Sequence, residues 1–207
     1  MRLGRTTFFT ATQVAEMQES LSRLGFTTTE VVAAQEAILE LSTAMSSDLG
    51  RTATIVAAAI RGFGADANQT QRYVDVMGRS FTSSALDLEK FQTSMTKVSA
   101  IAADSGFTFE ETTSMLGLLT DRGIEASIAG TSLRNILLKM QDPTSDLSKR
   151  LGQTVHSGED FIKALRTLKL EGAEMADVMG IVNIRQANAF TAYINSADAL
   201  ELFNTRL

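Results

Sequence analysis

Few residues in this chain have the type and spacing to do chemistry. Its 207 residues hold one histidine, His156, and no cysteine. A single imidazole rules out any site that needs two, and without thiolates there is neither a disulfide framework nor a sulfur metal site. His156 reads as an ordinary loop residue. Glu110 and Glu111 come nearest to a paired-carboxylate acid site of the kind a wall-degrading hydrolase uses. Neighbouring helical residues point about 100° apart, however, and first-turn carboxylates serve caps and the helix dipole. Gly123, Ala129 and Gly130 make no phosphate cradle, which would need a preceding strand; they read as places where helices approach closely. The nine methionines read as gap fillers along helical faces. Arg134 lies just off an apolar stripe, where it can cap the carbonyls of a neighbouring corner or meet a partner, and the structural role is the favoured reading. The expectation is no catalytic residue, no metal ligand and no cofactor.

The elements that hold these residues are helices. The stretch from Leu116 to Met140 reads as a helical hairpin turning at Gly123, with Ile124 placed for the apolar contact of a Schellman motif. Leu116 and Leu119 close its first arm. Ala129, Leu133, Ile136, Leu137 and Met140 fall on one side of the second. Elsewhere the same period recurs: Val14, Met17, Leu21 and Leu24; Val31, Ala34, Ile38, Leu41 and Met45; Leu88, Phe91, Met95, Val98 and Ala102. Thr27 with Glu30, stapled by Phe26 and Val31, makes a complete capping box after Gly25. The same chemistry returns at Gly106, Phe107, Thr108 and Glu111. Gly62 and Gly64 read as ending the helix that starts at Leu49, and a second echo pairs Gly62-Phe63-x-Ala65 with Gly123-Ile124-x-Ala126. The two echoes differ in offset, so they read as recurring corner chemistry and not as a solenoid of fixed period. Asp142-Pro143 reads as a cap before a proline at the first helical position. Residues 153–157 are the one candidate for irregular chain, followed by a helix capped at Ser157. Ala173 to Met179 reads as a brief helix, and a last one starts near Asn183.

Totals agree with this pattern. Hydrophobic residues make up 44% and charged residues 21%, with no tryptophan and one proline, a helix-bundle composition. The expected fold is all-α, about ten helices packed as successive hairpins. Residues 1–10 read as a polar junction with upstream sequence and 11–207 as one helical domain, with a subdivision near 141–157, cut from a longer chain. The formal charge of −5 argues against a duplex-binding protein, whose affinity comes mainly from Lys and Arg on phosphates. The start lacks the apolar stretch of a secretory signal. The longest apolar run, Ile55 to Ile60, is far short of the about twenty residues a bilayer requires.

Residues 25–77, then LLTDRGIEASIAGTSLRNILLKM at 118–140 with Pro143 close behind, resemble the tail tape measure proteins of long-tailed phages and prophages. The similarity runs from about Thr10 to the end, including Gly180 and the alanine-rich segment from Arg185 to Asp198. Its most specific part is Leu118 to Leu137, where the glycine corner, the small pair Ala129 and Gly130, and Thr131-Ser132-Leu133-Arg134 occur in order. The resemblance implies a structural virion protein that occupies the lumen of the tail tube, sets tail length during assembly in the host cytoplasm, and leaves at genome ejection. Implied partners are tube, initiator or baseplate proteins and assembly chaperones, with self-association, no specific nucleic acid and no membrane span in this stretch. The residues expected to matter are the corners Gly25, Gly62, Gly106, Gly123 and Pro143, the caps Thr27, Glu30, Thr108 and Glu111, and Arg134 as a contact residue. Two alternatives from other classes are a peptidoglycan-degrading module of a virion protein and a membrane-active helical protein.

Overall fold

The computed structural model describes residues 9–172, 182 and 184–207. Among these the fold is all-α, with eleven α-helices, one 3-10 turn and no strand. The helices are α1 Ala11–Arg23, α2 Thr28–Ala44, α3 Leu49–Gly62, α4 Thr70–Ser83, α5 Leu88–Asp104, α6 Phe109–Asp121, α7 Ala126–Gln141, α8 Asp146–Leu151, α9 Gly158–Leu170, α10 Ile184–Asn195 and α11 Ala197–Asn204. The chain forms two compact units, one ending at Gly78 and one spanning Arg79–Leu207. Residues 1–8 of the polar junction, the helix expected over 173–179, Gly180 and Asn183 lie outside the described residues.

In the first unit α1 packs chiefly on α3, while α2 touches both. Met17, Leu21, Ala34, Ile38, Val56 and Ile60 meet in its core with almost no exposure. Leu24 stands apart from this face: it is the C-cap of α1 and 40% exposed, because the helix stops there and its side chain swings off the apolar stripe.

In the second unit α5 pairs with α7 more extensively than any other two helices among the described residues. Helix α6 is buried on nearly every side, every residue from Thr112 to Thr120 included. Two of its buried hydroxyls are satisfied by bonding back to the helix's own carbonyls, while Thr113 Oγ1 is buried without a partner among the described residues. Thr112 Oγ1 donates to Thr108 O at 2.8 Å and Thr120 Oγ1 to Gly117 O at 2.8 Å. Two edge-to-face aromatic chains line the core, Phe81–Phe91–Phe109 at 5.7 and 5.9 Å and Phe107–Phe161–Tyr193 at 6.1 and 5.3 Å, geometry that suits ring quadrupoles.

Three local readings are corrected. Gly62 is the last residue of α3, and the left-handed turn residue is Gly64, φ 62°. The helix runs on because the bond that closes its end joins Ala65 N to the carbonyl of buried Ile60. Pro143 sits in a turn, not at the first helical position. Asp142 is the C-cap of α7, and its Oδ1 accepts from Thr144 N at 2.8 Å and Thr144 Oγ1 at 2.6 Å, which also lowers the Asp142 pKa. Ser145 is the N-cap of α8. Finally, the last helix is two: Ser196 interrupts it, and its hydroxyl accepts from Arg122 at 2.5 Å.

Candidate functional site

Five of the connections between helices have one design. Each helix ends at a C-cap, one residue takes a left-handed conformation, one more follows, and the next residue caps the following helix. The left-handed residues are Gly25, Ser46, Gly64, Gly106 and Gly123, with φ of 84°, 49°, 62°, 80° and 76°. Each corner carries the paired Schellman bonds. At Gly123, for example, Ile124 N donates to Leu119 O at 3.0 Å and Gly123 N to Thr120 O at 2.9 Å. The cap residues are Thr27, Asp48, Asp66, Thr108 and Glu125.

Thr27 Oγ1 accepts from Glu30 N while Glu30 Oε2 accepts from Thr27 N at 2.7 Å, a reciprocal capping box. Thr108 and Glu111 make the same pair, at 2.8 Å from Thr108 N to Glu111 Oε2. Thr10 and Gln13 make a third, which the sequence reading missed because Gln13 precedes any strong apolar signal. The Glu30 pKa is lowered, first by the backbone N–H of Thr27, then by its hydroxyl and by Arg61.

Arg61, not Arg134, is the arginine that clamps a corner. From α3 it donates to Gly25 O at 3.0 Å, pairs with Glu30 at 3.4 Å, and lies 4.6 Å from the centroid of the Phe26 ring. This is one guanidinium used as donor, ion and cation–π partner. Arg134 is exposed on α7 and has no hydrogen bond or ion pair with the described residues. At the Gly106 corner the clamp is the backbone of His156: a Cβ on Gly106 would lie 2.5 Å from His156 O. The His156 ring is exposed, 3.0 Å from Thr154 Oγ1. The Glu111 carboxylate is committed to its cap and packs against Gly158, so Glu110 and Glu111 do not act as a pair on one bound group. Met17, Met77, Met95, Met115 and Met140 are buried.

The tightest point is the crossing of α5 and α7. A Cβ on Gly130 would stand 2.9 Å from both the Cα and the carbonyl carbon of Ser94, and closer still to its oxygen. Only glycine lets the two backbones meet there. Ala129, Leu133, Ile136, Leu137 and Met140 are buried along the same helix. Near the Gly123 corner lies an open groove of 460 Å³ lined by Asp87, Lys90, Thr93, Thr120, Ile124 and Glu125 among others. Its charges are occupied: Asp87 and Glu125 accept from the first-turn amides of α5 and α7, and Lys90 donates to Ala85 O at 2.7 Å. Among the described residues no three His, Cys, Asp or Glu side chains are grouped to hold a metal ion, and no helix is long and apolar enough to cross a membrane.

Corners, caps and a close crossing define a helical packing scaffold, in which polar groups serve the backbone. Residues 1–153 match the model of a family described as phage-related minor tail protein, and the chain belongs to that family. It is 31% identical over 149 residues to the tape measure protein of Pneumococcus phage Dp-1, covering 72% of this chain and 13% of that protein. It is 23% identical over 210 aligned positions to the probable tape measure protein of Escherichia phage P2, covering 95% of this chain and 26% of that protein. The chain thus spans a minor part of the length of both relatives. No solved structure matches it.

Proposed function

We propose that this chain is a globular helical segment of a longer tail tape measure protein, working in the tube lumen to set tail length, assist assembly and depart at genome ejection. It acts without catalysis, through contacts with tube, initiator and chaperone proteins. The observation that supports this reading most is the 31% identity to a phage tape measure protein over 149 residues, with the family match over residues 1–153 taking in the five corners and the α5–α7 crossing. The arrangement fits the role physically, since the carboxylates of Glu30, Asp48, Asp66, Glu111 and Glu125 are spent on capping and Gly130 on close packing.

The test uses the full-length gene. In-frame deletions in any long helical stretch that it encodes outside this segment should shorten tails in electron micrographs by about 1.5 Å for each residue removed, the rise of an α-helix. Tails of unchanged length would sink the length-setting part. Release of soluble fragments from purified cell wall by the chain would sink the non-catalytic part.

A further inference from the structure

The two units open with the same three-helix module. In both, the first and third helices form the main pair, α1 with α3 and α5 with α7, and the second joins them through two of the shared corners. Gly25-Phe26-Thr27 corresponds to Gly106-Phe107-Thr108, and Ser46-Ser47-Asp48 to Gly123-Ile124-Glu125. Helix α6 has 13 residues where α2 has 17, one helical turn fewer. The register carries through the third helix: Leu49 matches Ala126, Ala53 matches Gly130, Val56 matches Leu133 and Ile60 matches Leu137, all buried. Gly123 therefore pairs with Ser46, not with a residue of the α3 terminus.

This repeat supplies an internal control for the outward face. On α3 that face carries Arg51, Thr54, Ala58 and Arg61; the equivalent positions on α7 are Ile128, Thr131, Asn135 and Leu138. Two arginines are replaced by apolar side chains left 52% and 40% exposed. The four α7 positions have heptad spacing, with Ile128 and Asn135 at a and Thr131 and Leu138 at d, a pattern suited to pairing with one further helix. Arg134 occupies the flanking g position, exposed and unpaired among the described residues. Its counterpart Ala57 is buried. From Ala126 to Gln141 the helix carries no carboxylate.

We propose that the outer face of α7 is a docking seam for a single amphipathic helix of a partner, apolar opposite Ile128 and Leu138 and acidic where it passes Arg134. A second copy of α7 is the wrong occupant. Parallel pairing would set Arg134 against Lys139, and antiparallel pairing would set Arg134 against Arg134, like charges in either case. The proposal does not depend on the tape-measure reading.

The probe is a stapled helical peptide of about 18 residues, long enough to hold its fold, with Leu at a and d and Glu facing Arg134; a twin carries Lys there. Fluorescence anisotropy with the whole chain should show the Glu peptide binding and the Lys peptide binding more weakly. Ile128→Asp with Leu138→Asp should abolish binding, and circular dichroism should show the fold kept, since both sites are solvated. Arg134→Glu should weaken the Glu peptide about fivefold, as for an exposed ion pair, and improve the Lys twin. The proposal fails if neither peptide binds, if both bind alike, or if binding survives the Asp pair. It also fails if sedimentation shows a dimer of the chain that the Asp pair dissociates.

Discussion

Replacing Gly130 by alanine puts the α5–α7 crossing to a direct test. The new methyl would lie 2.9 Å from the Ser94 Cα and carbonyl carbon, whereas non-bonded carbons rest at about 3.5–4.0 Å. The obstacle is backbone, so no rotamer change relieves it; the helices must part by about half an ångström or more. A gap of that size forfeits about a quarter or more of each dispersion contact along the seam, where Met95, Val98, Leu133 and Leu137 are packed. Overpacking of this kind costs about 1–3 kcal/mol, and alanine returns about 1 kcal/mol of helix propensity. Because the obstacle is backbone the upper part of that range applies, about 2–3 kcal/mol, and the net expectation is a loss of about 1–2 kcal/mol. Two other helical glycines calibrate it. A Cβ on Gly78 meets nothing within 4 Å, so Gly78→Ala should gain up to about 1 kcal/mol. A Cβ on Gly117 meets Cε1 of Phe203 at 2.5 Å, a ring edge that can swing aside, so its cost should fall between the two. Urea unfolding followed by circular dichroism gives all three values. Gly130→Ala as stable as the unaltered chain, or an order other than Gly78, Gly117, Gly130, would refute the reasoning.

Ser46 is the one non-glycine among the described residues with positive φ, at 49°; Ser46→Gly should raise the stability of the first unit by about 1 kcal/mol, read from the denaturation midpoint. The Glu30 carboxyl is lowered from an ordinary value of 4.5, so its contribution is present above that pH and lost as the pH falls through the folded value. Glu30→Gln should flatten the slope of stability against pH below about 4.5, and an unchanged slope in acid titration would show the cap to be idle. Tyr193 is fully buried, its hydroxyl donating to Met115 O at 3.1 Å, and burial raises its pKa well above 10.0. The second unit should therefore lose stability as the pH rises past about 10, where the unfolded phenol ionises, and Tyr193→Phe should remove that part of the slope in alkaline unfolding curves.

What the sequence determined by itself was local. Thr27 with Glu30 and Thr108 with Glu111 are legible because both partners of a capping box lie within one helical turn. The turn at Gly123 is legible because the apolar period stops just before it and resumes just after it. The buried faces of α5 and α7 follow from the same three-four period. Tertiary structure decided whatever depends on residues far apart in the chain. Gly62 and Gly64 have equal freedom to turn, and the choice falls on Gly64 because the corner must close over buried Ile60. Pro143 suits either a first helical turn or a loop; the loop wins because Ser145 and Ser148 then donate to the last carbonyls of α7, at Lys139 and Met140. Arg61 reaches the Gly25 corner, and Arg134 does not reach one, for a reason no local window contains: side-chain reach is fixed by how whole helices cross. Even the crossing itself was only half written in the chain: of Gly123, Ala129 and Gly130, all expected at close approaches, Gly130 meets the backbone of Ser94, while a Cβ on Gly123 would meet nothing within 4 Å.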